Sequence, residues 1–155
     1  MSSQRVYVPY ALDGLSRLVE TGEVGPAPFT AYAVTPDVVS QTPESDDEER
    51  EHLVALVAAR ASLERVVSDP AAPWRRVVLV VDVDRATLRA SISDDDPSAV
   101  EVATAPHRAD VAAIFVDDDD AQTAVALAAQ THDLSVVDDV DLLWFAPSEL
   151  VDLLP

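Results

Sequence analysis

No cysteine occurs in the chain, so disulfides, thiolate metal sites and cysteine nucleophiles are excluded together. Lysine is also absent. That removes Schiff-base chemistry, lysine bases and the Walker A phosphate loop, which needs a lysine. Glycine occurs only at Gly14, Gly22 and Gly25. Neither of the two buried strands predicted below is followed by a glycine-rich turn, so a dinucleotide fingerprint is missing. The Gly-x-Ser-x-Gly nucleophile elbow is missing too. Aromatic residues make up 5% of the chain, too few and too scattered for a base-stacking platform. His52, His107 and His132 lack zinc-type spacing. No apolar run approaches the roughly 20 residues of a membrane helix. The N-terminus has no basic segment leading into an apolar one, so no secretory signal is read there. The expected location is the cytoplasm.

What is present is a globular composition, 48% hydrophobic and 25% charged, and a length of 155 residues that points to a single domain spanning 1–155. The formal net charge is -19, and all ten cationic side chains are arginine. With no asparagine, two isoleucines and abundant Ala, Val, Asp and Arg, the composition points to a GC-rich genome. Such acidity repels phosphate backbones and anionic lipid at long range, so neither nucleic acid nor membrane is an expected partner. Salt adaptation is a rival account of the acidity.

The most informative stretch is Arg75-Arg76-Val77-Val78-Leu79-Val80-Val81-Asp82-Val83-Asp84. Its unbroken apolar, mostly β-branched run reads as a strand covered on both faces. Arg75 and Arg76 read as solvated flanks. Residues 5–9 read as a first strand stopped by Pro9. A helix follows on Leu12, Leu15, Leu18 and Val19, with Gly22 at a left-handed C-cap. Residues 29–35 read as a second strand ended by Pro36. The longest helix opens at Ser45-Asp46-Asp47-Glu48, which fits a capping box. Its apolar stripe reads as Leu53, Leu56, Val57, Leu63 and Val67, and Ser68-Asp69-Pro70 stops it. Beyond Asp84, residues 85–90 read as a helical turn, 99–103 as a short strand and 111–116 as a second buried strand. A further helix opens at the Asp117 to Asp120 run, with Asp119 and Gln122 placed as a capping pair. Residues 142–145 form a last strand, and Pro147 starts a short C-terminal helix. The expected fold is α/β or α+β, a mixed sheet of five to six strands with helices packed against it.

The segments Arg5-Val6-Tyr7-Val8-Pro9, Gly25-Pro26-Ala27-Pro28 with Ala33-Val34-Thr35-Pro36, and Ala58-Ala59-Arg60-Ala61-Ser62-Leu63 resemble an uncharacterised actinobacterial family of unknown function. The tail, Leu143-Trp144-Phe145 running into Glu149-Leu150, is similar as well. The resemblance covers nearly the whole chain as one small cytoplasmic domain. It implies no activity, cofactor or catalytic residue.

Two groups of side chains offer chemistry. Asp82 and Asp84 close one buried strand, and Asp117 and Asp118 close another. Were the strands parallel neighbours, four carboxylates would meet at one sheet edge, the hard-oxygen set a Mg²⁺ site uses. Asp82-Val83-Asp84-Arg85-Ala86-Thr87-Leu88 resembles the first motif of haloacid-dehalogenase-type phosphatases, but its threonine is one residue late and the usual glycine is missing. In a chain this rich in aspartate, the same residues also serve as strand ends and helix caps. Arg60 falls within the long helix's stripe, where it would clamp an anionic ligand or pair with a carboxylate. Trp74 and Trp144 read as core-rim residues, whereas an exposed pair would mark a partner surface. No cofactor is expected outside the Mg²⁺ alternative. The leading expectation is a non-enzymatic interaction module with an acidic surface for a basic protein partner. The rival is a Mg²⁺-dependent phosphoryl-transfer or hydrolytic enzyme on the four aspartates. An acidic mimic of nucleic acid ranks third, because the carboxylates are spread over loops and helix starts.

Overall fold

The computed structural model describes residues 2–69, 71 and 74–154. In chain order it contains β1 (Ser3–Tyr10), α1 (Leu12–Thr21), β2 (Phe29–Ala33), α2 (Pro36–Gln41), α3 (Asp47–Ser68), β3 (Val77–Asp84), β4 (Leu88–Ala90), β5 (Ala99–Val102), β6 (Val111–Val116), α4 (Gln122–Thr131) and β7 (Leu143–Phe145). A 3-10 helix, Pro147–Leu153, follows. The strands form one sheet in the order β4-β5-β2-β1-β3-β6-β7. The fold is α+β as expected. Among the described residues the sheet has seven strands rather than five or six, and all their pairings are antiparallel rather than mixed.

The continuous apolar run of β3 is explained by burial on both faces. Val77, Leu79, Val81 and Val83 join one core with Leu12, Leu15 and Leu18 of α1 and Leu150 of the 3-10 helix. Val78 and Val80 point the other way, into a core with Val54, Ala58 and Ala59 of α3. Alternation by two therefore reads apolar on both sides. A third cluster joins Leu63 and Val66 of α3 to Val125 and Ala128 of α4 and to Val137.

Pro9 does not stop β1. The strand runs on to Tyr10 opposite Val77, although pairing with β2 ends at Tyr7 and Tyr32. Donors from α3 serve the carbonyls there: Arg65 Nη1 donates to Pro9 at 2.7 Å, and Ser62 Oγ donates to Tyr10 at 2.9 Å. The Ser62 hydroxyl also accepts from the Val77 N–H at 3.0 Å. One buried side chain thus links α3, β1 and β3.

Two capping signals lie one residue from the position the sequence suggested. The N-cap of α3 is Asp46, not Ser45: its carboxylate accepts from the Glu49 N–H at 2.8 Å, and Glu49 reaches back to the Asp46 N–H. Asp118, not Asp119, caps the turn that leads into α4. Gly22 has φ 73° and donates to the Leu18 carbonyl, as its C-cap position required. Pro36 ends β2 by starting α2, with Thr35 as N-cap. Residues 85–87 form a 3-10 turn, and 88–90 go on as β4. The stop at Pro70 lies outside the described residues.

Tyr32 donates from its hydroxyl to Asp94 Oδ2 at 2.6 Å, fixing the β4–β5 loop to β2. Burial first, then this bond to a carboxylate, pushes the Tyr32 phenol well above its ordinary range. Burial raises Tyr7 and Tyr10 as well.

Two tests follow from this packing. Ser62→Ala leaves the Val77 N–H and the Tyr10 carbonyl without partners, so it should cost about 2–4 kcal/mol. The urea midpoint should fall at unchanged slope, and an unchanged midpoint would refute the bridge. Because the folded chain holds the Tyr32 proton more tightly than the unfolded one, that contribution is complete below the ordinary tyrosine value of about 10 and is lost as pH rises beyond it. Spectrophotometric titration of the native protein should show a late-ionising phenol that Tyr32→Phe removes.

Candidate docking surface

The antiparallel pairing of β3 with β6 decides the fate of the four aspartates. Val77 lies opposite Val116, so Asp117 sits beside the start of β3, while Asp82 and Asp84 lie at its far end. The two pairs are roughly 20 Å apart at about 3.3 Å rise per residue. The four-carboxylate edge that parallel pairing would have made does not form. Among the described residues, no three His, Asp or Glu side chains gather as metal ligands.

Each of the four has a structural partner instead. Asp82 lies directly across the β1–β3 ladder from Arg5, and the two make a forked, solvent-exposed pair at 3.0 and 3.2 Å. That hydrogen bond also raises the Arg5 pKa. Asp84 accepts from the Ala86 N–H at 3.0 Å and caps the following turn. Asp118 accepts from the Ala121 N–H at 3.0 Å. Asp117 is buried against Arg76, which was expected to be solvated and is not. Asp117 Oδ2 accepts from the Arg76 backbone N–H at 2.8 Å and from Nε at 2.9 Å, and Oδ1 accepts from Nη2 at 2.7 Å. Arg76 Nη2 also donates to the Val140 carbonyl at 2.8 Å. The guanidinium therefore anchors the 138–142 segment that leads into β7. Arg75 pairs with Asp119.

The apolar surface that sequence reading missed lies along α3. The buried row of α3 is Val54, Ala58, Ser62 and Val66 at i, i+4 spacing, flanked by Ala59 and Leu63; Val54, Ala58, Ala59 and Ser62 meet the sheet, and Leu63 and Val66 pack against α4. Small side chains at its centre let the helix approach the sheet closely. Leu53 and Leu56, expected in the core stripe, are turned out and remain 44% and 53% exposed. Arg60, one turn beyond Leu56, pairs with Asp138 at 3.1 Å at the surface.

Between this flank of α3 and the 137–142 segment lies an open groove of about 560 Å³. Its floor is Val78 and Phe115. Its walls include Ala55, Leu56, Ala59, Val137 and Leu142, and Arg60, Asp138, Asp141 and His52 also line it. Trp144 lies directly across the β6–β7 ladder from Phe115, and so on the same face of the sheet. It is 60% exposed rather than a rim of the core. Trp74 is also partly exposed. The arrangement offers an apolar trough with an indole at its side and carboxylates at its rim. Among the described residues that line it there is no Ser, Thr or Tyr to serve as a nucleophile. His107 meets Asp110 through its backbone: its N–H donates to the carboxylate at 3.1 Å, and its carbonyl accepts from the Asp110 N–H at 2.9 Å. The sequence signal for this surface was the pair Leu53 and Leu56 beside the small-residue row at Ala58, Ala59 and Ser62.

The chain belongs to a family of unknown function (DUF6912), whose family model matches residues 4–154. No curated protein and no solved structure matches it. No helix among the described residues is long and apolar enough to cross a membrane.

The two aspartate sites differ sharply in burial, and that difference can be measured. Asp117→Asn weakens a desolvated ion pair and should destabilise by about 3–5 kcal/mol. Asp82→Asn breaks an exposed pair and should cost at most about 1 kcal/mol. Equal midpoint shifts in urea would show that the burial assigned to Asp117 is wrong.

Proposed function

We propose that this member of the family is a non-enzymatic docking module that binds a basic protein partner through the groove between α3 and β7. One observation carries the reading. An apolar trough flanked by exposed Leu53, Leu56 and Trp144 lies on a chain of formal net charge -19. Such a field speeds encounter with a cationic partner and disfavours self-association, while the apolar centre supplies short-range affinity. Charged rim and aromatic anchor together are the usual division of labour at an interface. Asp82, Asp84, Asp117 and Asp118 are each occupied by an ion pair or a cap. This is why the geometry favours docking over phosphoryl transfer.

The reading is tested with the purified chain and its cell extract at about 0.15 M salt, where the Debye length is about 8 Å. Wild type should retain a stoichiometric basic protein, and the same purified partner should rebind. A Leu56→Ser/Trp144→Ser variant of unchanged stability should lose it. Absence of any such partner, or equal retention by the variant, would overturn the proposal.

A further inference from the structure

Resting on that docking reading, we infer that β7 is a receiving edge: an extended, arginine- or lysine-bearing segment of the partner adds to the sheet as an eighth strand beside Leu143, Trp144 and Phe145. The sheet has two edges, β4 and β7. Edge strands expose unpaired backbone groups, and native proteins guard them with charge or cover. β4 carries Arg89, exposed, at its centre. β7 carries no charge, and Leu143 and Trp144 are largely exposed. It pairs with β6 alone, so its outer N–H and C=O groups have no partner among the described residues.

The flanks bound the pairing length. After β7 the Ala146 N–H is taken by Glu149 Oε2 at 2.7 Å, and Pro147 has no N–H to give. Before it, the 138–142 segment is held by Arg76 at Val140. An added strand of about four or five residues fits this window.

Its chemistry follows from what lies on either side. Every second side chain of an added strand would fall on the Trp144 and Phe115 face, beside the groove, and calls for an apolar or aromatic residue there. The approach is acidic: Asp138 is balanced by Arg60, but Asp139 and Asp141 have no cationic partner among the described residues. A second copy of this chain would bring another -19 to the same edge, so the field selects a cationic strand over self-pairing.

The test uses the intact protein and synthetic peptides in which arginine alternates with valine or tryptophan, read by calorimetry and by amide hydrogen exchange of β7. The comparison peptides have the same sequence but are N-methylated at every second residue, in either of the two registers. They keep charge and side chains but lose backbone donors along one edge. The unmodified peptide should bind saturably, one per chain, and slow exchange at β7. One methylated register should bind about tenfold or more weakly, as expected for the loss of two or so backbone hydrogen bonds. Trp144→Ser should weaken binding, whereas Ile92→Ser, which removes an apolar side chain 93% exposed elsewhere on the surface, should not. Equal affinity of both methylated peptides and the parent, with Trp144 still required, would overturn strand addition and leave groove docking standing. No saturable binding by any cationic peptide would overturn both.

Discussion

Arg76 and Asp117 carry opposite charges out of water at the junction of β3 and β6, and much of the rest of the structure is arranged to keep them satisfied. Desolvating two ions costs several kcal/mol each, and their attraction offsets this only with good geometry and every remaining donor bonded. Here three donors of one arginine converge on a single carboxylate, and a fourth contact reaches Val140. This arrangement works only if β3 and β6 run antiparallel in the observed register. A shift of one residue would separate the charges and turn the apolar run of β3 over. The same arginine fixes the segment that forms one wall of the groove, so the core and the candidate surface share an anchor.

The second organising feature is the narrow face that α3 gives the sheet. Ala58 and Ser62 at its centre allow close contact with β1 and β3, and the Ser62 hydroxyl serves two buried backbone groups at once. Bringing small residues inward turns the larger Leu53 and Leu56 outward. Exposed leucines on one helix would mean little singly. Placed beside a groove floored by Val78 and Phe115, with Trp144 across the ladder, they make a contiguous apolar surface on a strongly acidic protein. Such a surface is expected where another chain docks.

How far this was legible differs from residue to residue. The β3 and β6 strands, the long helix and the Gly22 cap were readable because hydrophobic runs, periodicity and special backbone positions are local properties. The capping residues at α3 and α4 were displaced by one, since several neighbouring acids compete for each cap and only the backbone turn selects among them. The α3 stripe held at Leu63, with Val57 and Val67 packed at its margins, and failed at Leu53 and Leu56 for a related reason. Residues 53, 56, 60 and 63 and residues 54, 58, 62 and 66 both lie along a helix face, and side-chain size alone favoured the leucines. Packing distance to the sheet favoured the alanines.

By itself the sequence determined the α+β class, the doubly covered strand, the classes of catalysis that lack their residues, and the long-range charge. These follow from composition and from spacing along the chain. The tertiary structure alone decided where charged and apolar groups meet. Antiparallel pairing split the four aspartates between opposite ends of β3, buried Arg76 with Asp117, and left β7 as an open, uncharged edge. Strand direction and helix rotation depend on contacts between residues far apart in sequence, which no local pattern encodes.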